Sequence, residues 1–225
     1  MTQRLPTAVY QLALRLGADP RRAKATVRLG QTGRMREVVA ATWMTFRAER
    51  KISNLHCAFE WRARTGPLRS IFVRDALAGG RGRLDVRVLG FIPIGASNSS
   101  PQLTRGELMR HLAELAWAPD AILHDTELRW REDGPDTLAV SAGAGETETE
   151  VVLTLDDEGR IGGAFAPDRP RAVKASFLPT PRRGRFSDYR RHDDRWLPFA
   201  GEVAWVIDGV ETVYFQGQIE HWGAG

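Results

Sequence analysis

Apolar and polar residues alternate with period two along most of this chain, and that pattern most narrows the folds open to it. Met44, Phe46 and Ala48 alternate with Thr45, Arg47 and Glu49, and Phe59, Trp61 and Ala63 with Glu60, Arg62 and Arg64. Ala25, Val27 and Leu29 alternate with Lys24, Thr26 and Arg28, and Leu84, Val86 and Val88 with Asp85 and Arg87. Successive side chains of a strand point to opposite faces, so each segment buries one face and turns the other to water or a partner. Further strands are expected near Glu127–Arg131, Thr137–Ser141, Glu148–Leu155, Ile161–Ala166, Gly201–Ile207 and Thr212–Ile219. Gly66-Pro67, Gly79-Gly80, Asp156 to Gly159 and Asp208-Gly209 read as turns, the last a strong hairpin signal. Asp75 to Gly82 reads as one hairpin connection, Gly95 to Gln102 as a polar loop, and Pro179 to Gly184 as a basic, proline-rich loop.

Two segments switch to helical spacing. Leu5, Val9, Leu12 and Leu16 make one apolar face, with Pro6 suited to the first turn and Gly17 to the position past the end. This predicts a helix over about 6–16, broken by Asp19-Pro20. A second helix over about 105–116 carries Leu108, Leu112 and Leu115, with Thr104 and Glu107 at capping-box spacing. Pro119 disfavours helical geometry at Ala118 and stops it. Runs of strands with few helices indicate an α+β domain: a mainly antiparallel curved sheet, half-barrel or sandwich, with two short covering helices. The length of 225 residues suits one domain spanning 1–225.

Charge gives little direction. The formal charge is +4, but the arginines are interleaved with 28 carboxylates rather than gathered on a stripe. The densest group, Arg182, Arg183, Arg185, Arg190 and Arg191, reads as a solvated loop, and nucleic acid is not the expected partner. No apolar run approaches the roughly 20 residues that span a bilayer, and no secretory signal is visible. With a single cysteine, Cys57, this leads us to expect a cytoplasmic protein.

No motif with an attached chemistry is present. There is no Gly-x-Gly-x-x-Gly after a strand, no Walker sequence and no nucleophile elbow. His111 and Glu114 sit three apart on one helical face with His124 just beyond, which suits a metal or an acid–base pair. One His-x-x-Glu is only half of what di-iron bundles use, so no metal or other cofactor is expected. Cys57 and His56 are strand neighbours pointing to opposite faces, so Cys57 reads as a small buried apolar residue. The seven tryptophans of the chain include several candidates for a pocket wall.

The order of landmarks resembles an uncharacterised bacterial domain family. The resemblance rests on Leu29 to Arg36, Trp43 to Glu49, Phe59 to Ala63, and Leu108 to Trp117 with Pro119. It continues through Trp130, Tyr189, and Gly201 to Trp205 with Tyr214 and Gly217, covering nearly the whole chain. His111 stands where that family often has tyrosine. The landmarks also look loosely like lipoprotein-carrier (Lol-type) half-barrels, and that resemblance implies a curved antiparallel sheet and helices enclosing an apolar hollow.

The expectation that follows is a binding module for an apolar or amphipathic small molecule. Trp43, Trp61, Trp117 and Trp130 would supply the wall, and Glu114 and Arg169 the orienting polar groups. The alternative is an enzyme in which apolar walls raise the pKa of Glu114, the general acid or base, with His111 or Tyr189 as proton partner and Arg169 holding an anionic substrate. A third reading is a protein-interaction domain that uses an exposed sheet edge. The oligomeric state is not readable from the chain.

Overall fold

In a computed structural model, residues 5–22, 24–37, 42–97, 99–174 and 176–225 are described; residue 98 of the expected polar loop lies outside them. Helix α1 (Thr7–Arg15) leads into strands β1 (Thr26–Met35), β2 (Met44–Ser53), β3 (Phe59–Thr65), β4 (Ile71–Ala78), β5 (Arg81–Val88) and β6 (Ile92–Ser97). Helices α2 (Pro101–Ala113) and α3 (Pro119–His124) follow, joined by a 3-10 turn, Leu115–Trp117. The chain then adds β7 (Arg129–Gly134), β8 (Thr137–Ala142), β9 (Thr149–Leu155), β10 (Ile161–Val173), β11 (Ser176–His192), β12 (Arg195–Ile207) and β13 (Val210–Ala224).

Among the described residues the thirteen strands form one antiparallel sheet, ordered β6-β5-β4-β3-β2-β1-β13-β12-β11-β10-β9-β8-β7. Two runs of hairpins therefore meet at a β1–β13 seam, and β6 and β7 are open edges. One continuous sheet replaces the sandwich alternative. Helix α2 packs on β4 and β5 on one side and on β8, β9 and β10 on the other, so the sheet curls round it.

The segments of β2 and β3 behave as their spacing predicts, whereas Leu84, Val86 and Val88 of β5 are only half-buried and Ala25 is exposed before β1. Phe46, Ala48 and Ile52 of β2 and Phe59, Trp61 and Ala63 of β3 point inward and are buried. Val9, Leu12 and Leu16 of the first helical segment are buried too, each worth roughly 1.5–3 kcal/mol of apolar transfer. Gly159 (φ 70°) and Gly209 (φ 79°) take the left-handed conformation that their hairpins need.

Five expectations are corrected. The second helix begins at Pro101, not near 105, because the Ser100 hydroxyl caps it by accepting from the Leu103 N–H at 3.1 Å. Thr104 instead accepts from the Gly82 N–H at 3.0 Å, and Glu107 is buried. Asp75 is no turn residue but an inward position of β4; only Gly79-Gly80 turns, both at positive φ.

The proline-rich segment 179–184 is strand, not loop. Pro179 pairs with Pro170 beyond the stretches where β9 and β12 add their own ladders, which stop at Phe165 and Arg182, and Pro181 falls opposite the bulge between Ala166 and Arg169. The polar loop expected from Gly95 is partly β6, which runs to Ser97.

Candidate functional site

Glu107, Arg110 and Glu114 follow one another at helical spacing along α2 and its cap, which brings them to one side. They enter an ionic network in the interior. Arg110 pairs with Asp75 of β4 and donates from Nε to Glu114 at 3.1 Å. Arg50 of β2, with a fully buried side chain, reaches Glu114 through Nη2 at 2.5 Å and lies over the Phe59 ring, 4.3 Å from its centroid. Arg169 of β10 sits 3.5 Å from Glu107 and donates to the Gly106 carbonyl. Arg182 of β11 is buried as well; it donates from Nε to the Tyr214 hydroxyl at 2.9 Å and forms no ion pair among the described residues.

These surroundings fix the protonation states. Burial pushes the Glu114 carboxyl up, but Arg50, Arg110 and Arg182 outweigh it and hold the group below its ordinary range. This corrects the expectation of a raised pKa: the walls around Glu114 are guanidinium groups, not apolar rings alone. The raised carboxyl is Glu107, which burial, reinforced by Asp75, pushes up to about 8 against Arg169 and Arg110. Burial also lowers Arg50 to about 10, opposed chiefly by Glu114.

A slot runs between α2 and the sheet beside this network. Gln31, Arg110, Glu114, Trp117, Arg182 and Phe186 line it, together with Val203 and Phe215. Its free volume is about 20 Å³, room for one water. The open apolar hollow implied by the half-barrel resemblance is thus largely filled by α2 and its side chains. Trp117 is held in place by donating from Nε1 to the Pro198 carbonyl at 2.8 Å and by an edge-on contact with Phe186.

Of the residues singled out in the sequence, Glu114 and Trp117 line the slot. Trp61 stands behind it, donating from Nε1 to Gln31 Oε1 at 3.0 Å under the Arg110 guanidinium. Arg169 lies further along the network at Glu107. Trp43 is half-buried between Arg34 and Arg36, each 4.8 Å from its ring, and Trp130 is buried in β7; neither lines the slot.

His111 does not join Glu114: it is buried against Phe59, with Asp125 at 3.6 Å. His124 turns instead to the Asp19 carbonyl at 2.7 Å, so the trio read as a metal or acid–base set does not assemble. Tyr189 donates its hydroxyl to the Ile161 carbonyl at 2.8 Å and is pushed up by burial, away from Glu114 in its bonding.

Sequence reading gives Arg50 no role and puts Asp75 in a hairpin connection, Glu107 in a capping box and Arg182 in a solvated loop, whereas all four are buried. The signal for Arg50 was present: it continues the buried phase Phe46, Ala48, Arg50, Ile52 of β2, where a charge needs a partner. Arg182 was masked by its exposed neighbours. Arg183 and Arg185 point to the outer face, pairing with Glu211 and Glu202. They border an outer trough of about 970 Å³. Its arginines are engaged on the surface, Arg183 and Arg185 with carboxylates and Arg34 by donating from Nε to Gln216 Oε1 at 2.7 Å.

Two solved structures share the fold across most of their length. A LolA superfamily protein from Nitrosomonas europaea is 9% identical, covering 96% of this chain and 93% of its own, with a TM-score of 0.52. A DUF1329 family protein from Desulfovibrio piger is 10% identical, covering 96% of this chain and 92% of its own, with a TM-score of 0.53. At these identities the likeness is one of fold. No curated protein matches the chain. The match to a family of unknown function, DUF6544, spans residues 1–217, and the chain belongs to that family.

Proposed function

We propose that this protein is a binding module for an amphipathic small molecule with an anionic head, received in the slot between α2 and strands β11 to β13. The observation that carries the reading is Arg182, a buried cation at the slot whose partner is a phenol rather than a carboxylate. Buried charges are paired or bind a counter-ion. The network around it holds Arg50, Arg110, Arg169 and Arg182 against Asp75, Glu107 and Glu114, so cations exceed anions even with every carboxylate ionised. Glu107, raised to about 8, widens that excess near neutral pH.

Trp117, Phe186, Val203 and Phe215 supply the apolar side. The curled sheet shared with the LolA superfamily structure supports the reading in outline, since it sets a helix across an inward-facing apolar surface. A ligand larger than one water enters by displacing the 3-10 turn that carries Trp117 from β12. Glu114 fixes Arg110 and Arg50 rather than acting as an acid or base.

The test is tryptophan fluorescence during titration with decanoate and with decanol, which share a chain and differ in head charge. Decanoate gives a saturable change, decanol binds at least tenfold more weakly, and Arg182→Gln loses about tenfold to hundredfold in decanoate affinity, as expected for a charge-assisted hydrogen bond. No saturable response to decanoate, or an unchanged affinity in Arg182→Gln, overturns the reading.

A further inference from the structure

Beside this network, with the Phe59 ring in contact with both Arg50 and His111, three side chains of different kinds meet in the interior. Cys57 comes from the connection between β2 and β3, His111 from α2, and Asp125 from the residue that ends α3. All three are buried, and their potential ligand atoms lie within 4.8 Å of one another.

Their polar atoms are poorly accounted for by protein. Neither ring nitrogen of His111 has a hydrogen-bond partner, and Asp125 Oδ2 has none either. The contact between them is 3.6 Å, too long for a hydrogen bond. Among the described residues, no arginine or lysine pairs with Asp125. An interior carboxylate with neither a cation nor a full set of donors is costly. The Cys57 thiol offers Asp125 and Glu127 only a weak S–H donor and no compensating charge: burial, with these two carboxylates, pushes the thiol up.

We propose that Cys57, His111 and Asp125 form a binding site for one thiophilic divalent metal ion of the zinc type. The donor set is sulfur, nitrogen and oxygen, which suits zinc or cobalt and not calcium or magnesium. Ligand atoms of a tetrahedral site with bonds of about 2.0–2.3 Å stand about 3.3–3.8 Å apart, so the cluster needs a contraction of about an ångström. A divalent ion is balanced by the Asp125 carboxylate and a Cys57 thiolate, the thiol proton passing to solvent on binding.

Surrounding contacts already orient the ligands. Asp125 Oδ1 accepts from the Glu127 N–H at 2.9 Å, which leaves Oδ2 for the ion. Glu127 Oε2 accepts from the Cys57 N–H at 2.9 Å, and the His111 ring lies parallel to Phe59 at 6.4 Å. Glu127 is exposed, which puts the route for an ion on its side. One ion there ties the β2–β3 connection, α2 and the α3–β7 link together.

The experiment uses the full chain, stripped with a chelator and titrated with cobalt(II) alone. Because Cys57 is the single cysteine of the sequence, a thiolate-to-cobalt charge-transfer band reports this site and no surface histidine. The expected result is a band that saturates at one equivalent, is displaced by zinc, and is absent in Cys57→Ser. Affinity falls at least tenfold in His111→Gln and in Asp125→Asn. Zinc at a hundredfold excess over its dissociation constant raises the melting temperature of the unmodified chain by about 5–10 °C. No thiolate band and no thermal shift in the unmodified chain overturns the proposal, whether or not the variants fold. A band that persists at full affinity in both His111→Gln and Asp125→Asn overturns it equally.

Discussion

The indole of Trp117 lies flat enough against β12 that a Cβ on Gly201 would come within 3.2 Å of its ring. With no ligand to displace it, Trp117 is held there by Pro198, which accepts from its Nε1 at 2.8 Å, and by the edge contact with Phe186. Gly201→Ala therefore destabilises the fold, by about 1–3 kcal/mol, as overpacking does. Urea unfolding checks this, and in a Trp117→Leu background Gly201→Ala costs less than it does alone.

Arg50 and Glu114 form a pair that is strongly coupled because Arg50 is fully buried. Removing one charge strands the other. Arg50→Met costs about 3–5 kcal/mol, whereas Arg50→Met with Glu114→Leu costs less than the sum of the single changes. A double-mutant cycle in denaturant measures the difference; additive losses would mean that the pair is not coupled.

Glu107 makes stability depend on pH. Its carboxyl is pushed up to about 8 by burial and Asp75, above the ordinary 4.5 of an unfolded chain. Between these values the folded state binds the more protons, so the stabilising contribution is complete below about pH 4.5 and is lost as pH rises towards 8. Melting temperature should therefore decline across this interval, and Glu107→Gln should flatten the decline. Carboxyls held low, such as Asp19, Glu60 and Asp188, act in the opposite sense in the acid range below it.

Trp130 and Trp117 should answer differently to the same substitution. Trp130 is buried with Nε1 lacking a partner, so Trp130→Phe removes an unsatisfied donor and leaves only a small cavity, a change within about 1 kcal/mol. Trp117→Phe deprives the Pro198 carbonyl of its donor and loosens the contact with Phe186, costing about 1–3 kcal/mol. Chemical denaturation of the two variants in parallel tests the contrast.

Local pattern made the sheet legible and hid much of the interior charge. Period two exposes a half-buried strand directly, which is why β2 and β3 read correctly from Phe46, Ala48, Phe59 and Trp61. Segment 179–184 misled because proline reads as a breaker until its partner strand is known; the Pro170–Pro179 pairing is a long-range fact. Glu114 and Trp117 were visible through helical spacing next to Pro119. Glu107 was not, because a capping reading accounted for it locally, and only the curl of the sheet brings Arg169 to it. Arg182 looked like its neighbours Arg183 and Arg185, and one step of strand register decides which of them enters the interior. Cys57, His111 and Asp125 share no sequence spacing at all.

The seam between β1 and β13 sets a schedule for synthesis on the ribosome. Val27 pairs with Ala224 and Met35 with Phe215, so β1 waits for the last strand of the sheet to emerge before its second edge is covered. Until then the β1–β6 run offers bare backbone donors and acceptors along one of its sides, the condition under which nascent chains associate or recruit chaperones. Arg28 and Arg34, pointing to the exposed face of that strand, put charge on it during the wait.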